Sequence, residues 1–139
     1  LSQLVVLKVV YWPLSHWFPG TFSRSDVEEA ARTLSDSARG GWRIVLVLLV
    51  VIGAPLVEEL LYRGLVLRAL GDVLPVPAAI VVGAALFAGA HFQAVQFLGL
   101  FVFALVLGVL MHRSGRIGMG ILAHAAFNAT SLVILWPKK

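Results

Sequence analysis

Two adjacent glutamates, Glu58 and Glu59, stand in the most apolar part of this chain, with Arg63 four residues after the second. Residues 44–55, just before them, carry no charge. An ionised group in hydrocarbon is costly unless it is paired or solvated. On a helix Glu59 and Arg63 are i and i+4, so they face and neutralise one another. Glu58 is turned about 100° away and has no such local partner. One carboxylate is therefore structural and the other is free for chemistry. Three more polar groups interrupt apolar runs: His91, which ends Phe87-Ala88-Gly89-Ala90-His91, and the i, i+4 pair His124 and Asn128. Glu58 as general base with His91 sharing the proton would activate a water. His124 and Asn128 would donate hydrogen bonds to a developing oxyanion. Such a set hydrolyses a carbonyl substrate with no covalent nucleophile.

Each group taken alone also has a structural reading. A single histidine on an apolar helix is commonly a packed, hydrogen-bonded residue. A single asparagine is commonly a hydrogen-bonding link between helices. It is the conjunction, in this order and spacing, that points to a site. His16 and His112, at helix ends near charges or aromatics, are expected to be interfacial. Two histidines and a carboxylate (Glu58, His91 and His124) also match zinc in ligand type, so zinc is possible, although no metal or other cofactor is favoured.

Other hydrolase designs fit less well. There is no cysteine, which excludes a thiol nucleophile, thiolate ligands and disulfides. There is no His-Glu-x-x-His zinc motif and no Gly-x-Ser-x-Gly elbow. Gly71-Asp72 lacks the preceding glycine of a presenilin-like aspartyl protease, and no second membrane aspartate is available for a dyad.

The elements that must position these groups are membrane helices. The chain has 139 residues, 60% hydrophobic and only 13% charged, where soluble domains carry about 25% charged residues. The fold class is all-α: a polytopic transmembrane bundle of about four or five helices at roughly 20 residues per span. Residues 1–139 form a single membrane domain. Within it, 1–18 is a partial span or interfacial segment broken at Pro19-Gly20, and 25–39 is an amphipathic connector. Residues 42–70 form a long helix with a kink expected at Pro55. Pro75 and Pro77 start the next helix, which runs to His91. Residues 92–96 turn, 97–112 form a further helix, 112–116 a basic loop, and 117–136 the last helix. The glycines and alanines at 83–85 and 88–90 permit close helix packing. The net charge of +4 lies between helices and at the C-terminus. It marks contact with the lipid bilayer and topology, and excludes nucleic acid as the expected partner.

The three motifs resemble those of the CPBP family of CAAX proteases and bacteriocin-processing enzymes, also called the ABI or Rce1-like family. The family pattern is Glu-Glu-x-x-x-Arg, then Phe-x-x-x-His, then His-x-x-x-Asn or Asp. Glu58-Glu59-Leu60-Leu61-Tyr62-Arg63, Phe87-Ala88-Gly89-Ala90-His91 and His124-Ala125-Ala126-Phe127-Asn128 match it without departure. The resemblance covers about residues 42–136. The chain is accordingly expected to be a fragment of a larger family domain.

The resemblance implies a glutamate-type intramembrane endopeptidase, a family often described as metalloproteases. Glu58 and His91 would activate water, His124 and Asn128 would stabilise the oxyanion, and Glu59 and Arg63 would support the site. The implied substrate is a membrane-associated protein or peptide. Bacterial relatives are linked to bacteriocin maturation and self-immunity, so a bacterial or archaeal cell membrane is the expected location. The alternative is a non-catalytic membrane scaffold or bacteriocin immunity protein. A small proton-relay transporter ranks last, because no repeat or matched pair of broken helices is present.

Overall fold

The computed structural model describes residue 16, residues 41–92 and residues 94–135. The expectations for the first 40 residues, and for the closure of the last helix at 136–139, lie outside the described residues, apart from an exposed His16. Among the described residues there are four helices of more than ten residues and no strand. They are α1 (Trp42–Gly71), α2 (Val76–Gly89), α3 (Ala94–Ser114) and α4 (Ile117–Leu135). The fold is all-α and polytopic, as expected.

Three of the helices, α1, α3 and α4, are long and apolar enough to cross a membrane. With 14 residues, α2 is about 21 Å long at 1.5 Å per residue, short of the roughly 30 Å of bilayer hydrocarbon. Pro75 caps α2 in an extended conformation, ψ 143°, and Pro77 lies in its first turn. Proline is favoured there because the first-turn N–H groups have no helical acceptor. The α2–α3 turn is tighter than expected, since α3 already begins at Ala94. Between α3 and α4, Gly115 takes a φ of +63°, a conformation that glycine adopts without the Cβ clash met by other residues.

α1 is not uniform. Two stretches within it, Leu49–Gly53 and Leu60–Val66, are π-helical. The distortion expected at Pro55 takes the form of the first, which ends two residues before the proline. Proline removes one helical donor and crowds the carbonyl four residues back, and a widened turn relieves both. The second stretch carries Tyr62 and Arg63.

The described residues fall into two compact units. One comprises Pro55–His124, and the other includes 41–54 and 125–135. Within the first, α2 and α3 pack most extensively. Its apolar centre is Ala84, Phe87 and Ala104, with Tyr62, Leu100, Phe101, Phe103 and Leu105 against it. In the second unit, the side chain of Asn128 joins α4 to the N-terminal half of α1: its Nδ2 donates to the Val50 carbonyl at 2.9 Å. Most of the outward side chains of α1 are large and apolar, among them Ile44, Leu48, Leu49, Ile52 and Leu56. That surface suits lipid rather than water.

Candidate active site

Burial separates the two neighbouring glutamates. Glu59 has no exposed surface and Arg63 only 3%. Arg63 Nη1 donates to Glu59 Oε1 at 2.8 Å, which is the i, i+4 pair expected from spacing. Nη2 of the same guanidinium donates to the Ala104 carbonyl on α3 at 3.3 Å. The guanidinium carbon lies 4.7 Å from the centroid of the Phe87 ring. A desolvated cation over an aromatic face contributes about 2 kcal/mol. Arg63 thus ties α1 to both α2 and α3. Glu58, by contrast, keeps 28% of its side chain exposed. Among the described residues its nearest basic partner is His124, with Nε2 3.8 Å from Oε2.

His124 is buried and reaches both glutamates. Its Nδ1 lies 2.9 Å from Glu59 Oε1, so one carboxylate oxygen accepts from both Arg63 and His124. This second use of Glu59 joins residues 65 positions apart and had no local signal in the sequence. The other oxygen, Oε2, is buried with no hydrogen-bond partner among the described residues. It faces Gly120, where a Cβ would come within 2.8 Å of it. The carboxylate fits only because α4 is bare at that point. A glycine one turn before His124 was the available clue.

His91 is half-buried. Its Nδ1 lies 2.8 Å from the Phe87 carbonyl. A carbonyl only accepts, so Nδ1 carries the proton and Nε2 is left for other chemistry. Phe87 is the residue that sequence reasoning undervalued. It is fully buried, and ring centroids of Tyr62, His91 and His124 stand 5.1, 4.9 and 5.8 Å from its own. Phe103 adds a second edge-on ring to His124 at 5.2 Å. The Phe-x-x-x-His spacing therefore has a physical basis: one helical turn places an aromatic under the guanidinium and beside both imidazoles, and its carbonyl fixes the first imidazole.

The unit Pro55–His124 thus contains Glu58, Glu59, Arg63, His91 and His124. Asn128 lies one turn after His124 on α4, with one amide hydrogen engaged by Val50 and a second left to donate. Among the described residues no three side chains of metal-ligating type are gathered closely enough to hold a metal ion.

Residues 40–130, more than half of the chain, match the type II CAAX prenyl endopeptidase Rce1-like family. The chain belongs to that family. It is, at the family level, a CAAX-protease-like endopeptidase, and its three long apolar helices make it an integral membrane protein. No curated protein and no solved structure matches it significantly.

Proposed function

We propose that the protein hydrolyses a peptide bond of a membrane-associated protein or peptide, with Glu58 as the general base. One observation carries this reading: of two adjacent carboxylates, Glu59 is fully buried and held by Arg63 and His124, while Glu58 is part-exposed and aimed at an imidazole. A carboxylate with an accessible oxygen can accept a proton from water. Glu59 has no exposed surface, so neither of its oxygens is open to incoming water.

In this reading Glu58 removes a proton from water and the hydroxide oxygen attacks the carbonyl carbon. His91, with Nδ1 committed to the Phe87 carbonyl, presents Nε2 to share that proton. His124 and the free amide hydrogen of Asn128 serve the oxyanion. Oriented donors of this kind contribute about 10²–10³-fold in rate. Glu59 and Arg63 support the site without touching substrate. No metal takes part in the scheme. The setting is a bacterial or archaeal cell membrane, where bacteriocin processing is one candidate use.

The test compares membranes carrying the complete protein with membranes carrying its Glu58→Gln form. New protein termini are catalogued in both by mass spectrometry. Termini found only with Glu58 support proteolysis and identify the substrate. Identical catalogues at equal expression, in the natural host, refute it and leave a non-catalytic scaffold or immunity role.

A further inference from the structure

Helices commonly close on a glycine or asparagine in the left-handed region, where other residues meet a Cβ clash. After α2 that place is taken by Phe92, with a φ of +52° and its N–H donating to the Gly89 carbonyl at 3.0 Å. A bulky residue there is a backbone outlier. Nothing among the described residues offsets the strain: the side chain is 93% exposed, and its ring meets no other described aromatic ring. Exposure to lipid does not require it either, because Leu65 and Leu122 are largely exposed from helical positions. Strain of this kind collects at functional sites, and Phe92 directly follows His91. The Nδ1 of His91 is committed to the Phe87 carbonyl, which leaves its Nε2 for chemistry beside the strained turn. Away from the turn the unit is closely packed. A Cβ at Gly108 would come within 2.9 Å of Ile80, and one at Gly64 within 3.3 Å of Ile117.

We infer that Phe92 is a specificity-determining residue, whose exposed ring contacts an apolar or aromatic side chain of the substrate close to the bond that is cut. This rests on the hydrolysis proposed above. The closeness follows from chain geometry. Neighbouring Cα atoms are about 3.8 Å apart, so the side chains of His91 and Phe92 lie within roughly 10 Å of one another, and an extended peptide covers that distance in about three residues. The ring sets the chemistry of what it takes. It packs aliphatic side chains against its face and aromatic ones edge-on or offset. A charged side chain in the same place would lose hydration without gaining a partner. The strain persists in the free protein and is offset only when substrate covers the ring.

The experiment replaces Phe92 with the photo-crosslinker p-benzoylphenylalanine, which keeps an aromatic side chain, in the complete Glu58→Gln protein in membranes of its natural host. The same crosslinker in place of Leu122 is the comparison. Mass spectrometry identifies the adducts, and the terminal catalogue supplies the cut sites. Adducts are expected from position 92, and not from position 122, to a peptide segment within about three residues of a Glu58-dependent terminus. Adducts to lipid alone, or the same peptide adducts from both positions, would overturn the inference and leave the hydrolase reading intact. Identical terminal catalogues would refute the hydrolase reading and this inference with it. Kinetics on the identified substrate give a second readout. Phe92→Gly should lower kcat/KM at least about 10-fold, with a clearly smaller loss on a substrate whose apolar residue at the cross-linked place is alanine. Equal losses on the two substrates would show that the ring acts on the fold and not on the substrate.

Discussion

Replacing Arg63 with alanine should be among the most damaging single changes in the chain. The side chain is 4% exposed and makes a 2.8 Å bond to Glu59, a 3.3 Å bond to the Ala104 carbonyl and a face-on contact with Phe87. Its loss strands a carboxylate that has no exposed surface. Removing one partner of a buried ion pair costs about 3–5 kcal/mol, most of it from the uncompensated charge left behind. The control is Arg63→Met combined with Glu59→Gln. No charge is then stranded, and the glutamine can still accept from His124. The double variant should recover more than half of the loss, because replacing a whole buried pair by neutral groups of similar volume is often close to neutral. Unfolding free energies measured by denaturant titration in mixed micelles decide the matter. If Arg63→Ala unfolds within 1 kcal/mol, roughly, of the parent, the pair is not buried as described and the reasoning fails. If the double variant is as unstable as the single one, stranded charge is not the cause.

Three further changes test other parts of the account. Gly120→Ala places a Cβ within 2.8 Å of Glu59 Oε2 and should lower stability by about 1–3 kcal/mol. An unchanged melting curve would show that α4 does not press on the carboxylate. Phe87→Ala empties the centre of the aromatic cluster and should cost about 3–5 kcal/mol, and a loss under 1 kcal/mol, roughly, would contradict the complete burial of that ring. Phe92, directly after His91, has a φ of +52° with its side chain 93% exposed. Phe92→Gly should therefore stabilise the turn by roughly 1 kcal/mol, and a lower melting temperature would indicate that the exposed ring makes contacts that outweigh the strain.

The all-α membrane fold was legible because it follows from composition and from apolar run lengths. Pro75 and Pro77 marked the start of α2 through a rule about first-turn donors, and Glu59–Arg63 followed from helical periodicity. Within the candidate site, whatever depended on a single helix could be read in this way. Contacts between helices could not. His124 meets Glu59 across 65 positions and Asn128 meets Val50 across 78, and periodicity carries no information about which helix faces which. The π-helical stretches were also hidden. The proline rule points to a distortion near Pro55 but not to its form, and no single residue type announces a widened turn at Leu60–Val66. Phe87 was visible as the first letter of a motif, but its role as the surface on which one guanidinium and two imidazoles assemble needed three dimensions.

The central claim is that two adjacent glutamates divide the work, with Glu59 holding the site together and Glu58 doing the chemistry. The direct measurement is the cleavage rate of purified complete protein and its Glu58→Gln form in proteoliposomes, on the substrate that the terminal catalogue identifies, with unfolding free energy measured on the same samples. Glu58→Gln should slow cleavage roughly 10²–10⁴-fold, the range for losing a general base. Its unfolding free energy should change by less than about 0.5 kcal/mol, as expected for a part-exposed side chain outside the buried ion pair. Cleavage at the parent rate, or a slowed rate accompanied by a comparable loss of stability, would contradict the claim.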